Sequence, residues 1–137
     1  GMTVDVAKYV GIPWVCSSLA APSFAGCDCY GLVRLFYAEE FGISIPDPGA
    51  TADDVGKVQE AYLAEVVRWC RLQKAEPWCG VAMRRNPRFP DLVTHFGIYV
   101  PTAMPSILHA PEEVPGSVLV RLSAVERTVE GFYAWRG

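Results

Sequence analysis

Hydrophobic positions change their period along the chain. Between Cys29 and Phe41 they fall at Leu32, Val33, Phe36, Tyr37 and Phe41, the three-and-four spacing of a helix that buries one side. Asp28 stands where an N-cap belongs and Gly42 where a C-cap belongs, and Pro46 and Pro48 stop any continuation. A second helix is expected after Thr51 and Asp54, a capping-box pair with Asp in place of Glu, on the stripe Val55, Val58, Tyr62 and Val66. Its end overlaps a strand-like run, Val66 to Leu72. Upstream, Thr3 to Val10 suits a short helix ended by Gly11 and Pro13, and Trp14 to Gly26 is small-residue-rich and reads as loop.

Downstream the period shortens to two. Trp78–Met83, Val93–Val100, Ser106–Ala110, Ser117–Leu122 and Val129–Trp135 all read as strands. In the clearest of them Phe96, Ile98 and Val100 share one face, and His95, Gly97 and Tyr99 the other. Helices first and strands later indicate an α+β fold, with N-terminal helices packed on an antiparallel sheet. The chain has 137 residues and no linker or repeat, so one domain over 1–137 is expected.

Composition narrows the function. Net charge is −3, whereas a nucleic-acid protein carries a basic excess. Arg84, Arg85 and Arg88 make the densest basic cluster; with Asn86, Pro87 and Pro90 among them they read as a solvated loop, carboxylate binding being the alternative. No apolar run is long enough to span a bilayer, and no basic-then-apolar leader is visible. Gly1 ahead of Met2 looks like the remnant of a removed tag. The expectation is a protein made and folded in the cytoplasm. Five cysteines at irregular spacing make a poor disulfide framework.

The chemistry lies in Cys27, Cys29 and the chain's two histidines, His95 and His109. Pro101–Pro105 would turn one histidine strand into the next. A turn centred on Thr102 sets the imidazoles directly opposite; one centred on Ala103 sets them diagonal, and either way they share a face. Three readings follow. In the first, Cys29 is a nucleophile whose thiolate is favoured by the helix N-terminus, His95 takes its proton, His109 orients His95, and the Cys29 N–H forms half an oxyanion hole. In the second, Cys27, Cys29, His95 and His109 hold zinc, although a C-x-C spacing is shorter than structural zinc sites use. In the third, these are ordinary buried residues, the reading preferred for Cys16, Cys27, Cys70 and Cys79.

Several runs resemble one family. Asp28-Cys29-Tyr30-Gly31-Leu32-Val33 is similar to the Asp-Cys-Ser-Gly-Leu-Val signature of NlpC/p60 papain-like cysteine peptidases. His95-Phe96-Gly97-Ile98-Tyr99-Val100 resembles that family's His-Val-Gly-Ile-Tyr-Leu strand, and Ile107-Leu108-His109-Ala110 its Ile-His-Ala strand. Gly11-Ile12-Pro13-Trp14 resembles its Gly-x-Pro-Tyr segment. The run from Gly31 to Glu40 and the ending Gly131-Phe132-Tyr133 are most similar to members associated with bacteriophage tails.

The resemblance implies a papain-like fold and a thiol protease that hydrolyses peptidoglycan stem peptides, at the D-glutamyl to diamino-acid bond. It implies Cys29 as nucleophile, His95 as base and His109 as orienting residue, with Trp14 and Tyr30 at the substrate and no metal or other cofactor. The implied partners are the stem peptide and phage tail proteins, without nucleic acid or membrane insertion, and the implied place of action is the cell wall. The chain departs from the pattern at Trp14, where the family has Tyr, at Tyr30, where it has Ser, and at Trp78-Cys79-Gly80-Val81, which lacks the Asp of Gly-Asp-Leu-Val. A tail-assembly module without catalysis, and an amidase or acyltransferase built on the same Cys-His-His site, are the alternatives.

Overall fold

The structure is a computed structural model that describes residues 3–17, 19–48 and 68–137. The helix expected after Thr51 lies outside the described residues. Helix α1 spans Cys29–Phe41, as its spacing predicts. The Asp28 carboxylate accepts the Gly31 N–H at 2.8 Å, and Gly42 closes the helix in the left-handed conformation at φ 66°. A cap of this kind contributes about 1 kcal/mol.

Six strands follow: β1 Trp69–Leu72, β2 Gly80–Met83, β3 His95–Val100, β4 Ser106–His109, β5 Val118–Arg121 and β6 Val129–Trp135. They form one sheet in the order β1-β6-β2-β3-β4-β5, every described pairing being antiparallel. The fold is therefore α+β with α1 packed on the sheet. A four-residue helix α2, Leu122–Val125, and a 3-10 turn, Glu126–Thr128, connect β5 to β6.

Alternation divides the side chains of the sheet between two apolar clusters. On one side Leu32, Val33 and Phe36 of α1 are sealed against Phe96, Ile98, Val100 and Leu108. Burying a side chain the size of Phe36 stabilises the fold by about 2–3 kcal/mol. On the other side Val81, Met83 and Ile107 pack with Tyr99, Val120 and Phe132.

Several boundaries differ from the sequence expectation; the fourth strand ends at His109 rather than Ala110, and the fifth runs Val118–Arg121 rather than Ser117–Leu122. The N-terminal helix shrinks to a 3-10 turn, Val6–Tyr9, because Asp5 takes the Ala7 N–H and Gly11 adopts φ 87°. The second strand begins at Gly80 rather than Trp78, because Trp78 takes a left-handed φ of 66° and stacks its ring on Phe36. Cys79 still joins the sheet, its carbonyl accepting from Tyr99 N–H at 2.9 Å. The third strand begins at His95 rather than Val93.

Ser117 ties the N-terminal segment to the connection between β4 and β5. Its hydroxyl donates to the Tyr9 carbonyl at 2.5 Å and accepts the Ile12 N–H at 2.9 Å, while its backbone exchanges hydrogen bonds with Gly11 and Ile12. This clasp fixes the segment entering Trp14 against the loop after β4. Both reach the site.

Candidate active site

His95 opens β3 and His109 closes β4, so both imidazoles lie at one end of the sheet. Ile98 pairs with Leu108 and Val100 with Ser106, which centres the hairpin on Ala103 and makes the histidines diagonal neighbours. His95 Nε2 meets His109 Nδ1 at 2.8 Å, with the rings nearly perpendicular. One step along this register sets Gly97 opposite His109. A Cβ built on Gly97 would stand 2.9 Å from Ile107 Cγ2 and 3.1 Å from His109 Cβ. Glycine is required there because β4 comes too close for a side chain. Gly97→Ala is expected to cost about 1–3 kcal/mol by overpacking, and a melt of that variant matching wild type would contradict the close approach.

Cys29 is the first residue of α1 and is 8% exposed. The N–H groups of Phe96, Tyr30 and Cys29 itself face its sulfur. The sulfur therefore rests against the peptide that follows His95. Cys29, His95, Thr94 and Trp14 line one cleft of roughly 290 Å³. Its rims are the loop after β2, through Arg85 and Asn86, and the loop after β4, through Glu112 and Glu113. Arg85 Nη2 donates to Glu113 Oε1 at 2.6 Å and joins the rims.

The electrostatics depart from the expectation of a preformed thiolate. Burial, with the Asp28 carboxylate beside it, pushes the Cys29 thiol up to about 12, outweighing the three N–H donors. Burial also holds His95 well below its ordinary value, helped by His109 and Arg85. His109 is lowered to about 4 by burial and Arg85. The resting site is a neutral thiol beside neutral imidazoles, because the interior penalises charge on either partner.

Each histidine titrates at 6.5 when unfolded and lower when folded, so the unfolded chain binds more protons between those values. Their contribution to stability is complete above pH 6.5 and declines as pH falls toward 4. For His109 the full loss is about 3 kcal/mol. Urea midpoints should fall between pH 7 and pH 4.5, and His109→Gln should fall less. Equal slopes in the two proteins would refute this.

The site unites Cys29, His95 and Trp14 in the cleft, with His109 behind His95. The Tyr30 hydroxyl accepts from Trp69 Nε1 at 3.2 Å and its ring meets Phe96 edge-on, and Tyr30 is not among the residues that line this cleft. Asp28 caps α1 and also accepts the Ser17 N–H at 2.9 Å, holding the preceding loop. Among the described residues no group of three or more His, Cys, Asp or Glu side chains is arranged to hold a metal ion. None of the five cysteines is in a disulfide. Sequence reasoning placed Arg85 in a solvated basic cluster, with carboxylate binding as the alternative, and missed Glu113; the two lie past the ends of β2 and β4, the strands that flank β3.

No protein-family model matches the chain, and no curated protein is similar enough in sequence to count as a match. Solved structures do resemble it. An NLP/P60-family protein, similar to a lipoprotein, from Staphylococcus aureus superposes with a TM-score of 0.61 at 20% identity, over 96% of this chain and 39% of its own. The NlpC/p60 domain of the peptidoglycan hydrolase SagA gives 0.58 at 18% identity, over 94% of this chain and 91% of that domain. NlpC1 from Trichomonas vaginalis gives 0.62 at 20% identity, over 94% of this chain and 42% of its own. The chain thus spans about two fifths of the first and third of these proteins and nearly all of the second. The α+β arrangement of these residues is the papain-like fold of the NlpC/p60 type.

Proposed function

We propose that this domain is a cysteine peptidase that hydrolyses amide bonds in peptidoglycan stem peptides. The observation that carries the reading is the 2.8 Å contact of His95 Nε2 with His109 Nδ1 in a cleft that also holds Cys29. With Nε2 occupied by His109, the proton exchange with the thiol falls to His95 Nδ1. That nitrogen is a base only when the ring's proton is on Nε2, donated to His109 Nδ1. His109 thereby fixes the tautomer and supports the imidazolium as it forms.

The steps follow from this geometry. As Cys29 Sγ attacks the amide carbonyl, its proton passes to His95 Nδ1, and the carbonyl oxygen gains the negative charge. The Cys29 N–H is one donor to that oxygen, and the Trp14 indole N–H is suited to be the second. His95 then gives its proton to the leaving amine, and the C–N bond breaks to leave a thioester. Water, losing a proton to His95, attacks the thioester carbonyl; the C–S bond breaks, the acid is freed, and His95 returns the proton to Cys29 Sγ. Because the thiol and imidazole start neutral, charge develops only as bond formation begins.

The choice of stem peptide rests on the motifs around Cys29, His95 and His109, and on the fold shared with a peptidoglycan hydrolase domain. The D-glutamyl to diamino-acid bond and the setting on a phage tail rest on sequence resemblance alone. Digestion of defined stem peptides, followed by mass spectrometry, tests the reading. The expected products separate a glutamyl acid from a diamino-acid amine; intact peptides after prolonged incubation would overturn it.

A further inference from the structure

The loop carrying Arg85 has the residue types of a solvated segment, yet Arg85 faces the cleft. Among the described lining residues it carries the fixed positive charge, and its partner Glu113 lies across the cleft. The pair is unequal in burial: the Arg85 side chain is 26% exposed and that of Glu113 is 61% exposed. A pair so open to water is weak. Arginine also offers a planar fork of donors matched to a carboxylate. The guanidinium is therefore held in place, and its present partner is easily exchanged for another carboxylate that sits deeper in the cleft.

Position indicates which part of a substrate would bring that carboxylate. Met83 pairs with His95 at the end of β2, so Arg85, two residues further on and lining the same cleft as His95, belongs to the histidine side of the cleft. On that side the departing amine receives its proton. We propose that Arg85 selects substrates by a carboxylate on the amine half of the scissile bond, and that Glu113 holds the guanidinium until that carboxylate replaces it. This rests on the reading that the cleft hydrolyses amides, and it adds the chemical class of the leaving residue.

The test uses two peptides that differ only in the leaving residue, which ends in a carboxylate in one and a carboxamide in the other. Wild type should favour the carboxylate peptide in kcat/KM by roughly ten- to a hundredfold, the range for a hydrogen bond to a charged group. Arg85→Gln should bring the ratio close to one. Glu113→Gln should lower KM for the carboxylate peptide, since its competitor is gone. Any effect of Arg85 on histidine titration moves both peptides alike, so the ratio isolates recognition. An unchanged ratio in Arg85→Gln overturns the proposal. So does a parallel fall for both peptides in both variants, which would make the pair a tie between loops.

A second measurement does not need turnover. The amine-half amino acid, as carboxylate or carboxamide, is tested for protection of Cys29 against iodoacetamide. Protection by the carboxylate at roughly tenfold lower concentration, lost in Arg85→Gln, supports the assignment; equal protection by both overturns it. If wild type cleaves neither peptide, the hydrolase reading fails while protection still decides the role of Arg85.

Discussion

Cys29→Ala is expected to reduce hydrolysis by roughly ten-thousand-fold or more, to the level left by binding and the oxyanion donors alone. The variant should keep its fold. Cys29 caps no strand pair and forms no disulfide, and α1 is held by Asp28, Gly42 and its apolar face. Removing one buried sulfur should cost about 1 kcal/mol, a change of a few degrees in Tm. Rates on a stem peptide and a thermal melt of the same preparation check both halves. Substantial turnover by a folded Cys29→Ala protein would exclude the thiol mechanism and leave the other two readings of these residues.

The same measurement distinguishes a peptidase from a binding module on this fold. Among the described residues no helix is long and apolar enough to cross a membrane. Cys27 offers an internal control. It too is buried and pushed up to about 12, by burial and by Asp28, but it lies outside the residues that line the cleft. Cys27→Ala should therefore leave hydrolysis within a fewfold of wild type.

The site was legible in the sequence where it depends on period and order. Helix α1 and strand β6 have the bounds that their spacing predicts, and the alternation in β3 correctly sends Phe96 and Ile98 to the core beneath α1. A two-residue period also forces His95 and His109 onto one face, whatever the turn. Choosing between opposite and diagonal pairing needed the register, which depends on the conformation of Pro101–Pro105 rather than on residue types.

Electrostatics were not legible in the same way. A helix N-terminus favours a thiolate, but how far the sulfur is buried is set by the packing of α1 against β3, and here burial outweighs the donors. Trp78 likewise reads as a strand residue, but its left-handed backbone goes with long-range contacts: its ring stacks on Phe36, its carbonyl accepts from the Tyr37 hydroxyl and its N–H donates to the Tyr99 carbonyl. Arg85 was hidden for a related reason. A loop of Arg, Asn and Pro looks solvated until the end of β2, paired with His95, and the ion pair with Glu113 bring Arg85 to a cleft.

His95→Ala is expected to lower kcat/KM by roughly a thousand- to ten-thousand-fold, since both the thiol proton and the leaving-amine proton pass through its ring. His109→Ala should cost less, about a hundredfold, because it acts through His95 rather than on the substrate. The double variant should be no slower than His95→Ala alone: with the base gone, nothing remains for His109 to orient. His109→Asn provides the conservative check, since its side-chain oxygen can accept from His95 Nε2 and should recover part of the loss. His95→Gln, closer in size, guards against an effect of unfolding, and melts of all five proteins establish that each is folded. Multiplicative losses in the double variant would mean that the two histidines act independently, and the 2.8 Å contact would then be packing rather than a catalytic relay.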